Sequence, residues 1–356
     1  MFSELSIRDL RIIRDLRLAF SPGINLVIGP NGAGKTSVIE ALYLLSVGRS
    51  FRHREPAPLI REGAEAAQVF ARFQDPGGVP HALGMRRERQ QLVVRLDGRS
   101  SVRRSEVLRL LPVQFIGPDP QQMVQGPPEY RRQVLDTGLF HVEPEYLSLM
   151  QRYSRALQQR NAALRQGGVL APQWDHALGE AGTAIDTIRR SYVERVITGT
   201  EARLADWKLN LSVSFHYRSG WRAGFSLQES LEAHREIDAR QGYMGVGPHR
   251  ADLVIDTNAG RGGKVLSRGQ LKMLVAALMI AQAEIHRERL GRAPVLLFDD
   301  LPAELDRANR DKLLAGLGSV YPQMVVTSLE LDGLGALDEA RVFHVEQGVL
   351  SRPAVG

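Results

Sequence analysis

Gly29-Pro30-Asn31-Gly32-Ala33-Gly34-Lys35-Thr36 sets three glycines, a lysine and a hydroxyl within eight residues. Glycines at these intervals let a backbone curl until successive N–H groups point inward, an anion nest for phosphates. Lys35 is spaced to reach the β- and γ-phosphates of a nucleotide, and Thr36 to offer its hydroxyl to Mg²⁺. Asn31 and Ala33 permit the turn. Far downstream, Val295-Leu296-Leu297-Phe298 leads into Asp299-Asp300. Two acids at the end of a buried strand suit the same chemistry. The first holds Mg²⁺, usually through water, and the second orients or deprotonates an attacking water. Leu266-Ser267-Arg268-Gly269-Gln270 opens a long apolar helix, with Ser267 where an N-cap belongs and Gly269 permitting close backbone approach. These residues imply a nucleoside triphosphate held with Mg²⁺.

The elements that must position them follow from periodicity. Residues 24–28 form a short apolar run, read as a buried strand. Val38, Leu42 and Leu45 then give helical spacing over 35–47. Strands are expected at 5–13 and 17–20, and antiparallel strands at 67–73, 81–86 and 92–97, with turns at Pro76-Gly77-Gly78 and Asp97-Gly98. A short helix at 105–110 and a buried strand at 112–116 follow. Residues 143–166 and 173–205 read as a helical hairpin, too short for a long coiled-coil arm, so a compact helical lobe is expected. After a strand at 211–217 and a helix at 227–239, strand and helix alternate: 253–255, 268–288, 294–298, 307–317, 324–327 and 341–345. Alternation predicts an α/β fold with a mainly parallel sheet. The domain reading is 1–117 and 242–356 as the two parts of one α/β head, with 118–241 as a mainly helical insertion.

The chain has 356 residues, a net charge of +6 and no cysteine. That excludes a disulfide framework and a thiolate zinc site. The longest strongly apolar helical stretch, 273–281, is too short to span a bilayer. Met1-Phe2-Ser3-Glu4 has neither a basic region nor a cleavage pattern, so a cytoplasmic protein is expected. The positive charge favours an anionic partner.

Ser-x-Gly-Gln ahead of an apolar helix, followed by an apolar run with two acids, resembles the signature of ABC-type ATPases. In that superfamily the signature contacts the γ-phosphate held by a partner subunit. Ala303-Glu304-Leu305-Asp306 resembles the loop that crosses the dimer interface. Two departures from the transporter pattern stand out. The second acid is Asp300 rather than Glu, which implies slow turnover. Val326-Thr327-Ser328 occupies the region of an expected histidine. The Mg²⁺-sensing glutamine is Gln114 or Gln121, and Gln121 is preferred.

Spacing narrows the family. From Lys35 to Ser267 is 232 residues, longer than in transporter subunits and far shorter than in the coiled-coil chromosome-condensation type. A gap of this size filled by a compact helical lobe resembles the RecF family, bacterial recombination mediators. Gly126-Pro127-Pro128-Glu129-Tyr130-Arg131-Arg132, Gly247-Pro248-His249-Arg250-Ala251-Asp252-Leu253 and the run from Leu297 to Asp306 resemble its motifs. Ala251 stands where Asp is usual. The resemblance implies an ATP-driven homodimer that binds DNA, preferring single-strand/double-strand junctions, in gap repair and replication restart. It also implies RecR and RecO as partners in loading RecA, with slow, DNA-stimulated hydrolysis used as a switch. A transport ATPase subunit is disfavoured by the gap and the missing histidine, and a small-molecule kinase by residues 266–270. The candidates for DNA are Arg86, Arg87 and Arg89; Arg99, Arg103 and Arg104; Arg131 and Arg132; and Arg189 and Arg190. A guanidinium is a fixed fork suited to phosphate. No aromatic interleaving along the sequence suggests base stacking, so backbone contacts without sequence preference are expected.

Overall fold

The computed structural model describes residues 1–52, 59–100, 102–166, 172–209, 211, 213–257, 266–300, 305–329 and 340–351. The chain divides into two compact units, Met1–Pro120 with Lys272–Gly356, and Gln121–Leu271. The first boundary lies close to the expected 117/118. The second lies some thirty residues past 241/242, because residues 252–256 pair with a strand of the second unit rather than joining the head sheet.

The first unit opens with the hairpin β1 (Phe2–Leu10) and β2 (Ile13–Ala19). The single strand expected over 5–13 is broken here, because Arg11 sits at φ 55° and reverses the chain. The reversal has a partner: Arg11 donates Nε and Nη2 to the two carboxylate oxygens of the fully buried Glu40, at 3.0 and 2.9 Å. β3 (Gly23–Ile28) runs into the glycine loop and α1 (Lys35–Val47), which contains Glu40. The strands β4 (Ala66–Gln74), β5 (Pro80–Glu88) and β6 (Leu92–Leu96) complete an antiparallel sheet ordered β2-β1-β4-β5-β6. Alternation decides its faces: Leu5, Ile7, Leu16, Leu18, Val69, Ala71, Leu83 and Met85 enter the core with Val38, Ile39 and Leu42 of α1.

α2 (Arg104–Leu110) and β7 (Val113–Ile116) end the first pass. In the second unit, α3 (Gln121–Val124), α4 (Pro128–Val142), α5 (Tyr146–Arg165) and α6 (Pro172–Asp206) are followed by β8 (Ser214–Arg218) and α7 (Leu227–Gln241). A 3₁₀ turn (Pro248–Arg250) and β9 (Asp252–Asp256) follow, with β9 antiparallel to β8. α4 was not expected from the sequence. Its apolar positions are sparse, and two of its inward-facing residues are the polar Arg131 and Asp136. Pro128 stands in its first turn, where the missing N–H costs nothing.

α8 (Arg268–Leu290) carries the chain across the boundary between units. β10 (Val295–Phe298), α9 (Arg307–Gly318), β11 (Gln323–Ser328), β12 (Arg341–Glu346) and β13 (Val349–Ser351) complete the first unit. Its second sheet is ordered β13-β12-β3-β11-β10-β7 and is parallel apart from β13. The carboxyl ends of β3, β11 and β10 therefore share one edge, with β11 in the middle. Among the described residues no helix is long and apolar enough to cross a membrane.

Candidate nucleotide site and signature turn

The glycine loop leaves β3 at that carboxyl edge. Gly29 has no room for a side chain, since a Cβ would collide with the carbonyl of Val345. Gly34, at φ 109°, begins α1. The loop is braced from behind, with the Gly348 N–H donating to the Ala33 carbonyl at 2.8 Å. Lys35 lies at the first turn of α1. Its ammonium curls over the loop and donates to the carbonyls of Gly29 (2.7 Å) and Pro30 (3.0 Å). Burial pushes its pKa down, while Asp300 and Asp299 pull it back up. The lysine, the glycine turns and the helix N-terminus are thus gathered around one small volume.

β10 delivers the acids to the same edge. Asp299 is buried, at 2% exposure. Thr36 donates its hydroxyl to Asp299 Oδ1 at 3.1 Å, and Thr327 donates to the same oxygen at 2.8 Å. Burial raises the pKa of this carboxyl; the two hydroxyls and the Arg52 charge oppose the rise. Thr36 and Asp299, 263 residues apart in sequence, thus supply a hydroxyl and a carboxylate in direct contact. Hard oxygen donors of this kind match Mg²⁺.

Asp300 is exposed and takes the left-handed backbone conformation, φ 64°. Its peptide groups are restrained on both sides. Its N–H donates to Thr327 Oγ1 at 2.7 Å, and its carbonyl accepts from Lys272 Nζ at 3.2 Å. Thr327 and Lys272 are themselves buried, at 1% and 3% exposure. Sequence reasoning passed over both. The available signal was that β11 ends its apolar run in hydroxyls, and register sets Val326 beside Phe298. The next residues, Thr327 and Asp299, then fall side by side.

The residues expected to form the signature, Leu266–Gln270, belong to the second unit. Ser267 Oγ accepts from the Gln270 N–H at 3.2 Å, and Gln270 Oε1 accepts from the Ser267 N–H at 2.9 Å. This reciprocal pair is a capping box. Ser267 and Gln270 remain exposed, whereas Gly269 is buried. Asp306 caps α9, accepting from the Asn309 N–H at 2.8 Å, and is exposed. Residues 301–304, with the expected Ala303 and Glu304, lie outside the described residues. Gln114 is committed inside β7, where it accepts from the Tyr321 hydroxyl at 2.7 Å. Gln121 opens α3 and is half-buried.

The arginine candidates divide sharply. Arg131 and Arg189 are buried and are not available to a phosphate backbone. Arg131 makes a bidentate pair with Asp252 at 2.7 and 2.9 Å. Arg189 pairs bidentately with Asp136 at 3.0 and 2.9 Å and donates to the Pro248 carbonyl at 2.6 Å. Arg132, half-buried, donates to the Ala251 carbonyl at 2.6 Å. Together they hold the 247–252 segment. His249 in that segment receives the Tyr153 hydroxyl at Nδ1, and burial pushes its pKa down to about 4. Arg87 is half-buried. Arg86, Arg89, Arg99, Arg103, Arg104 and Arg190 are exposed. Of these, Arg86 pairs with Glu88, Arg99 with Glu106 and Arg190 with Asp186.

Comparison with known proteins bears on this geometry. A model of the RecF/RecN/SMC N-terminal domain matches residues 1–351. The DNA replication and repair protein RecF of Thioalkalivibrio sulfidiphilus (strain HL-EbGR7) is 40% identical over 355 residues, covering 98% of this chain and 99% of that protein. RecF of Stenotrophomonas maltophilia (strain R551-3) is 41% identical over 352 residues, covering 96% and 97%. A solved structure of the recombination mediator protein RecF with ATP, of the RecFOR pathway, superposes with a TM-score of 0.86. It is 23% identical and covers 99% of this chain and 97% of its own. That likeness shows the fold, an ABC-type head with a mixed sheet and a helical second unit. Near-complete coverage at such identity, with the family model spanning almost the whole chain, makes this protein a member of the RecF family of DNA replication and repair proteins.

Proposed function

We propose that the chain binds ATP with Mg²⁺, closes into a homodimer around the nucleotide and holds DNA in the closed form during gap repair. The observation that carries this reading is the convergence of Lys35, Thr36, Asp299 and Thr327 on one sheet edge, with an exposed Ser267 turn elsewhere in the chain. The loop amides and Lys35 would bind the phosphates. Thr36 and Asp299 would hold Mg²⁺, whose role is to neutralise charge on the phosphate oxygens. Asp300 would accept a proton from the attacking water. The Ser267 turn of a second copy would complete the site from outside. A preference for single-strand/double-strand junctions, cooperation with RecO and RecR in RecA loading, and slow DNA-stimulated turnover belong to the same reading. The solved relative with ATP in the RecFOR pathway supports it.

Sedimentation velocity with and without Mg²⁺–ATP, alone and on gapped DNA, tests the proposal. The expected result is a monomer without nucleotide and a dimer with it, the dimer co-sedimenting with gapped DNA. A monomer under all conditions would overturn it.

Thr327 gives a sharper check on the hydrolytic half. Thr327→Val removes the hydroxyl that orients Asp299 and anchors the Asp300 N–H. Turnover is expected to fall about 100-fold, the scale of a small misplacement of reacting groups, with the KM for ATP little changed. Thr327→Ser should restore most of it. Equal kcat for the Val and wild-type proteins in steady-state phosphate release would remove Thr327 from this role.

A further inference from the structure

The antiparallel sheet turns one face to the core and the other to solvent, and register decides what the outer face displays. Arg17 pairs with Ser6, Ser6 with Phe70, Phe70 with Gly84, and Gly84 with Arg95. These five residues form one row straight across β2, β1, β4, β5 and β6. Strand spacing makes the row roughly 19 Å long. Arg17 and Arg95 are exposed at its two ends, with Ser6, Phe70 and Gly84 half-buried between them.

The flanking rows carry Arg8, Arg86 and Arg72. Each of these has an acid beside it: Arg8 has Asp15, Arg86 has Glu88 and Arg72 has Glu4. Arg17 and Arg95 have no ion-pair partner among the described residues. The face therefore carries five arginines against three carboxylates, and its surplus charge sits at the two ends of the aromatic row. Gly84 keeps the floor beside the ring low. Its backbone does not require glycine, and a Cβ there would meet only Phe70 Cδ2, at 3.8 Å.

We propose that this face binds single-stranded DNA, a base stacking on Phe70 while phosphates pair with Arg17 and Arg95. The inference rests on the reading of the chain as a DNA-binding protein and names the surface that meets the strand. An aromatic ring between two cationic ends matches a stacking platform with an electrostatic track. A duplex keeps its bases stacked internally and would leave Phe70 unused. An acidic protein would use the arginines but not the ring.

Fluorescence anisotropy of the full chain with Mg²⁺–ATP tests this, using a labelled oligothymidine of about 20 nucleotides, enough for one binding surface, and a blunt duplex of equal length. Arg17→Glu with Arg95→Glu is expected to weaken oligothymidine binding at least tenfold. It should also flatten the log–log salt slope by about 1.4, the value for two lost phosphate contacts on a single strand. Phe70→Ala should weaken binding about tenfold with the salt slope unchanged, as for one lost stack. Gly84→Glu, which the backbone accommodates, should act like the charge reversals. ATP affinity and melting temperature should stay at wild-type values in the two charge variants. If wild type binds oligothymidine and all variants match it, the face is not the site and the inference fails, while DNA binding stands. If only duplex binding falls, the single-strand assignment fails. If wild type binds neither DNA, the proposed function itself fails.

Discussion

Lys35→Met is expected to leave a folded protein that no longer binds ATP at concentrations saturating the wild type. Among the described residues the ammonium donates to the carbonyls of Gly29 and Pro30 and to no other group. Burial already disfavours its charge, with Asp300 and Asp299 offsetting this in part. Removing it therefore costs the fold little. Toward nucleotide the balance reverses, because the same ammonium would donate to two phosphates. Hydrogen bonds to charged groups contribute about 1.5–3 kcal/mol each, so the loss is at least about 3 kcal/mol, or roughly 100-fold in affinity. Titration calorimetry with ATP reads this directly, and thermal melting confirms the fold. Undiminished affinity would remove the glycine loop from the nucleotide site. Since dimerisation is proposed to follow nucleotide, the same variant should stay monomeric with ATP.

Ser267→Arg is expected to do the converse: bind ATP normally and fail to dimerise or hydrolyse. Its own copy's phosphate loop is untouched, but the bulk and length of arginine obstruct the approach of a second copy's nucleotide. Ser267 also caps α8 through its reciprocal pair with Gln270. Losing that cap costs about 1 kcal/mol, and a small drop in melting temperature is expected. Ser267→Asp separates the two effects. It retains a capping oxygen, keeps the helix, and sets a negative charge toward the incoming phosphate. Both variants should sediment as monomers with Mg²⁺–ATP. An ATP-dependent dimer of Ser267→Asp with wild-type turnover would refute the closed-dimer model.

The parts of the site that are contiguous in sequence were legible there. Residues 29–36, Asp299-Asp300 and the turn at 266–270 each carry their chemistry in consecutive residues, with a strand or helix beside them that periodicity reveals. The strand-helix alternation likewise gave the parallel sheet. What escaped was set by pairing between distant segments. Thr327 became part of the site only because β11 lies between β3 and β10. The row Arg17, Ser6, Phe70, Gly84, Arg95 exists only through four registers, so the aromatic-basic interleaving absent along the chain is present across it. Arg131 and Arg189 failed as surface candidates for the same reason. A run of arginines shows its charge but not its partners, and these lie 121 residues away at Asp252 and 53 away at Asp136. The helix Pro128–Val142 was hidden because two of its inward positions are polar and saturated by those pairs.

Asp300 rests in a backbone region that most side chains avoid, at a cost of about 1 kcal/mol. It stays there while Thr327 holds its N–H and Lys272 its carbonyl. The glycine turns of residues 29–34 carry no such load, because glycine meets no penalty at positive φ. In the proposed mechanism, grip and turnover would therefore be mechanically separate. The grip would rest on unstrained glycines, and turnover on an acid held in place by two latches. A change that slips either latch is then expected to leave a protein that still clasps its nucleotide but has lost its timer.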